Sequence, residues 1–171
     1  TANTTGENNS AMGYQALYTE DRAVRTIAIG INALYTQNAG NGTETQNTAM
    51  GYGALVLNTT GGRNTAVGVH SLYSNTTASY NTAIGRRALY ANTTGAANTA
   101  SGYSAMRENT TGCCNSAFGY QTLLANTTGN KNTAIGKQAL TSNTTGADNT
   151  ASGYRTLRYN TTANNNVAYG N

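Results

Sequence analysis

Small and apolar residues fall in a fixed phase along the chain, and the phase repeats every 17 residues. A Gly marks it, at Gly13, Gly30, Gly51, Gly68, Gly85, Gly102, Gly119, Gly136, Gly153 and Gly170. The interval is 17 throughout except from Gly30 to Gly51, where it is 21, so a four-residue insertion lies near Gln37 to Gly40. A period this short and this strict is the signature of a repeat architecture.

The columns around the Gly predict the elements. Two residues before it stands Ala: Ala11, Ala28, Ala49, Ala66, Ala83, Ala100, Ala117, Ala134 and Ala151, and again Ala168. Four residues after it stands Leu17, Leu34, Leu55, Leu72, Leu89, Met106, Leu123, Leu140 or Leu157. These two columns are the candidate core: a small Ala opposite a Leu describes a thin interior between closely spaced strands. The pattern predicts a coil made of a short strand around NTAxG, a turn, a second short strand around xALxx, and another turn. Side chains alternate faces along a strand. If the Ala points inward, the residue just before each Gly points out. That column holds Met12, Ile29, Met50, Val67, Ile84, Phe118 and Ile135, an apolar row of the kind that marks an interface, here between chains. The column just after the Gly presents Tyr14, Tyr52, Tyr103, Tyr120 and Tyr154 as candidates for surface binding, with packing against the Tyr of the next coil as the plainer role.

Polar columns are as regular. One Asn opens nearly every unit and a second follows six residues later, as in Asn58 and Asn64. Asn accepts left-handed backbone and bonds its own turn. Stacked once per coil, it can also build amide ladders. A unit this short buries too little apolar surface to fold alone, so the coils must stack. About ten coils at ~4.8 Å per strand make a rod on the order of 48 Å long. Helical repeats need two or more helices per unit, and Asn, Thr and Gly are poor helix formers. The expectation is therefore all-β: one parallel β-solenoid of about ten 17-residue coils spanning residues 1–171 as a single domain. The array lacks capping coils, so the sequence is expected to be a segment of a longer fibre protein.

NTAVG at 64–68 and NTAIG at 81–85 and 132–136, within the phrase NTAxGxxALxxNTTGxx, carry a resemblance. The phrase resembles the repeat of bacterial and phage tail-fibre proteins. It is similar, more distantly, to the head repeats of trimeric autotransporter adhesins. The resemblance covers essentially the whole chain. It implies a left-handed β-roll assembled side by side as a homotrimer, a fibre shaft or head with an adhesive role toward a cell-surface glycan or protein receptor. It also implies an extracellular, cell-surface or virion-surface location. The unit here is longer than that of the adhesin heads, and its strand phrase has Thr where theirs often has Val.

Composition adds mostly exclusions. Charged residues are 9% of the chain and the net charge is +4, with basic residues spread along the sequence. That spread argues against a nucleic-acid partner, which calls for charge gathered on one face. No apolar run approaches a membrane span. His70 is the single histidine and falls in a variable column, which suggests a surface role. No carboxylate pair, metal-ligand spacing or nucleophile triad emerges, so no enzyme activity, cofactor or metal is expected. Cys113 and Cys114 are adjacent, read as tolerated small residues with a cross-link between chains as the sharper alternative. The eight NTT phrases match the N-glycosylation pattern but coincide with the repeat consensus, and are read as turns. Two alternative functions stand beside the fibre: ice binding through the paired Thr columns, such as Thr59-Thr60 and Thr76-Thr77, and a subunit of a self-assembling extracellular filament.

Overall fold

The computed structural model describes residues 6–19, 23–38 and 44–170. Ten strands of three residues each run through it: β1 (Ser10–Met12), β2 (Ile27–Ile29), β3 (Thr48–Met50), β4 (Thr65–Val67), β5 (Thr82–Ile84), β6 (Thr99–Ser101), β7 (Ser116–Phe118), β8 (Thr133–Ile135), β9 (Thr150–Ser152) and β10 (Val167–Tyr169). They form one parallel sheet in chain order. Each strand pairs in register with the next, Ala on Ala, as in Ala66↔Ala83 and Ala83↔Ala100. The chain is a β-solenoid, one strand per coil.

The inner and outer sides of the sheet follow from alternation. In β5, Ala83 is buried, Ile84 is exposed and Thr82 is half-buried. The Gly that ends each strand takes φ between +103° and +140°, backbone that L side chains rarely adopt. A Cβ on Gly85 would also lie 2.5 Å from the Gly102 carbonyl oxygen of the next coil. Both facts explain why only Gly occupies that column.

The segment after the Gly is not the second strand expected around xALxx. It is a run of turns in which alternate residues are left-handed, as in Arg87 at φ 57° and Leu89 at φ 50°. Left-handed backbone costs a non-Gly residue roughly 1–2 kcal/mol. Here the Leu side chain is completely buried, and its N–H donates to the next coil, as Leu89 does to the Ala105 carbonyl at 3.0 Å. Burial and bonding together outweigh the strain. The expected left-handed Asn also differs. The left-handed position is the residue before the second Asn, where Arg63, Tyr80, Ala97 and Asp148 stand.

The Asn columns line the interior as ladders. In the first, Asn92 Nδ2 donates to Asn75 Oδ1 at 2.9 Å and to the Gly95 carbonyl at 2.9 Å. In the second, Asn98 Oδ1 accepts from the Asn115 backbone N–H at 3.0 Å, while Asn98 Nδ2 donates to the Gly112 carbonyl at 2.9 Å. Gln37 takes an Asn place in the first ladder: its Oε1 accepts from Asn58 Nδ2 at 3.3 Å. The insertion therefore falls after Gln37, and β2 and β3 keep their register across it. Part of the inserted stretch lies outside the described residues.

The expected core columns are buried with three corrections, all in the terminal coils: Ala11, Leu157 and Ala168, the last half-buried in the final strand. Ala11 is exposed, because β1 pairs with β2 and no described strand lies on its other edge. Leu157 is only half-buried for the same reason at the opposite end, where a single strand lies beyond it.

Candidate functional site

Three longitudinal surfaces result, since every column becomes a row along the rod. The first is the outer face of the sheet. It carries a row of half-buried Thr, such as Thr65, Thr82 and Thr99, beside the apolar column. Met12, Met50, Ile84, Phe118 and Ile135 are exposed, at 41–65%, whereas Ile29 and Val67 are half-buried. No described charged side chain lies in these strands.

The second surface is the Asn corner, where the NTT phrases sit. Asn58, Asn75, Asn92, Asn109, Asn126 and Asn143 are fully buried and their amides are bonded inside the ladder. An amide so placed cannot accept a glycan, so the phrase is structural here. The paired Thr are divided in role. From Thr59 to Thr144 the first of each pair donates its hydroxyl to the next coil, as Thr76 does to the Thr93 carbonyl at 3.2 Å and Thr93 to the Thr110 carbonyl at 3.1 Å. In these pairs only the second, as in Thr94 and Thr111, is exposed.

The third surface is the turn after the Gly, and it gathers the aromatic and basic side chains. Tyr14, Tyr52, Tyr103, Tyr120 and Tyr154 are all exposed. Four of these five tyrosines engage a neighbouring coil. Tyr103 and Tyr120 stack with centroids 5.3 Å apart. Tyr52 lies 5.0 Å from His70. Lys137 Nζ is 5.8 Å from the rings of both Tyr120 and Tyr154, and the Arg155 guanidinium is 4.9 Å above Tyr154. Upstream, Tyr18 stacks on Tyr35 and Tyr73 on Tyr90.

His70 is not the loose surface residue expected from its variable column. It is half-buried among Tyr52, Tyr73 and Tyr90. Gly53 leaves the room, since a Cβ there would lie 2.8 Å from the imidazole Cδ2. Burial, then the charges of Arg87 and Arg86, push the imidazole pKa below its ordinary value.

Charge is also sorted by the fold. Among the described residues Arg86, Arg87, Arg107, Lys137, Arg155 and Arg158 lie on the turn surface with one acid, Glu108, which pairs with Arg107 at 2.5 Å. On the Asn corner Arg25 pairs with Glu44 at 2.6 Å, and Arg63 lies over Tyr80. Sequence order hid this segregation, because residues seventeen apart in the chain are neighbours in space.

Cys113 is half-buried and Cys114 exposed, both as free thiols. A hydrogen bond with Cys114, followed by burial, raises the Cys113 pKa, the opposite of an activated thiolate. Among the described residues, no three His, Cys, Asp or Glu side chains come together. The chain matches no protein-family model, and no curated protein or solved structure is significantly similar to it.

Proposed function

We propose that this chain is the shaft or head of an adhesive fibre at a cell or virion surface, a non-catalytic rod that associates side by side into a homotrimer. The observation that carries the reading is the outer sheet face. Its described strands carry no charge, and its apolar row, interrupted by Ser101 and Ser152, has side chains as large as Met50, Ile84, Phe118 and Ile135 more than two-fifths exposed. An apolar row of this length along a rod favours association with a parallel copy. The ladder interior supports the same role. Coils that share backbone bonds and buried amides along the whole length make a stiff spacer, suited to holding a binding surface away from its base.

Light scattering on the chain in solution tests the assembly. A mass near three chains is expected. Replacing Ile84 and Ile135 together by Lys is expected to release monomers, because two charges per chain would have to be buried in the contact. A monomeric wild-type chain at all concentrations overturns the trimer.

A further inference from the structure

We propose that the turn surface over Tyr120 to Arg158 binds a linear, carboxylated polysaccharide. The proposal deepens the adhesive-fibre reading, on which it rests for its setting, by naming the class of ligand and the residues.

The surface there is an open groove. Tyr120, Gln121, Lys137, Gln138 and Arg155 line one stretch of ≈ 430 Å³, and Arg155 also lines the next, of ≈ 540 Å³, with Arg158 and Tyr159. The first stretch runs along the rod over three successive coils, and the second opens around the last of these, since Arg155 to Asn160 belong to one coil. Its cations are held in place before any ligand arrives. Lys137 is flanked by two tyrosine rings. Arg155 lies over Tyr154 and donates from Nε to Gln138 Oε1 at 3.1 Å, while Gln138 Nε2 donates to Gln121 Oε1 at 3.1 Å. No acid lines either stretch. Among the described residues Lys137, Arg155 and Arg158 have no acid partner, and Lys137 and Arg155 are held in place, which is what recognition of an anion needs.

The spacing selects the kind of anion. Successive coils repeat at ~4.8 Å, so Lys137 and Arg155, one coil apart, are separated along the axis by about the length of one sugar ring in an extended polymer. Tyr hydroxyls and Gln amides between the cations suit the hydroxyls that such a polymer presents between its carboxylates. Nucleic acid fits less well. Duplex DNA carries one charge per about 1.7 Å of axis, far denser than these cations. Single strands are held by stacking bases on open aromatic faces, and here the rings of Tyr103, Tyr120 and Tyr154 already face one another or a cation.

The test is calorimetric titration of the whole chain with oligogalacturonate, the uncharged galactan oligomer and a single-stranded DNA of equal charge. Lys137→Gln with Arg155→Gln is the informative variant. Gln already occupies the Arg155 column at Gln121 and Gln138 with the same left-handed backbone, so the fold tolerates it. Oligogalacturonate is expected to bind at low salt and to weaken as salt rises. The double variant should lose at least about tenfold in affinity, the effect of losing charge-assisted hydrogen bonds. Arg63→Gln, on the Asn corner, should lose nothing. Absence of oligogalacturonate binding, equal binding of the galactan, an unaffected double variant, or tighter binding of DNA each overturns the proposal. The mass in solution, measured on the same samples, separates the readings. A trimer that ignores the polyanion removes the ligand assignment and leaves the fibre, and a monomer that binds it does the reverse.

Discussion

The interior of each coil has two sides that reach full burial by different physics. On one side Ala83, Ala88 and Leu89 pack without polar side-chain atoms; on the other, Asn92 and Asn98 are just as buried. The apolar side admits variation. Met106 stands in the Leu column, and Ser71, Thr122 and Thr156 stand in the small column, with Ser71 Oγ donating to the Gly68 carbonyl at 3.0 Å and Thr122 Oγ1 to the Gly136 carbonyl at 3.0 Å. The amide side is nearly fixed. Its described exceptions cluster beside the insertion, where Thr26 and Thr45 share a hydroxyl contact at 2.7 Å and Gln37 leaves its Nε2 buried without a partner. Apolar burial is non-directional, so any side chain of similar volume serves. An amide in a ladder must match a donor on one neighbour and an acceptor on the next, so only the same length and chemistry serve.

Three substitutions sharpen that contrast. Asn98→Leu keeps the branching of the side chain but strands the Asn115 N–H; it also removes one hydrogen bond from the Gly112 carbonyl, which keeps Asn109 Nδ2, and one from Asn115 Nδ2, which keeps the Gly129 carbonyl. It should destabilise the rod by roughly 2–6 kcal/mol, the sum of one buried unsatisfied N–H and two lost hydrogen bonds. The shift of the urea midpoint reads this, and hydrogen exchange should localise the loss to the coils on either side. Leu89→Ala comes next. It opens a cavity in the apolar side and should cost about 2–5 kcal/mol by the same measurement. Leu89→Met is the smallest, under about 1.5 kcal/mol, because the column already accepts Met106. If Asn98→Leu proved milder than Leu89→Met, the ladder would be a by-product of stacking rather than its determinant.

Much of the fold was legible in the columns. The Ala, Leu and Gly rows located the strand, the interior and the tight corner, and the Asn rows suggested ladders that the structure contains. The misses have specific causes. The xALxx segment looked like a strand because an apolar residue beside a small one suits a pleated interior. Leu89 is instead left-handed, a conformation that its own propensity disfavours and that burial and the bond to Ala105 impose. His70 looked peripheral because its column varies, yet the absence of a side chain at Gly53 in the coil before it creates its pocket.

By itself the sequence determined the period, the inward Ala and Leu, the one position per coil that only Gly can fill, and the apolar row outside the sheet. These are properties of one unit, and every unit repeats them. Only the stacked structure decided which unlike units become neighbours. Stacking brings Lys137 between Tyr120 and Tyr154, places Arg155 beside Gln138, and gathers six of the basic residues spread through the chain on the turn surface. The physical reason is that a solenoid replaces distance along the chain by distance along an axis. Residues seventeen apart become nearest neighbours, and the columns that vary from coil to coil acquire their meaning there.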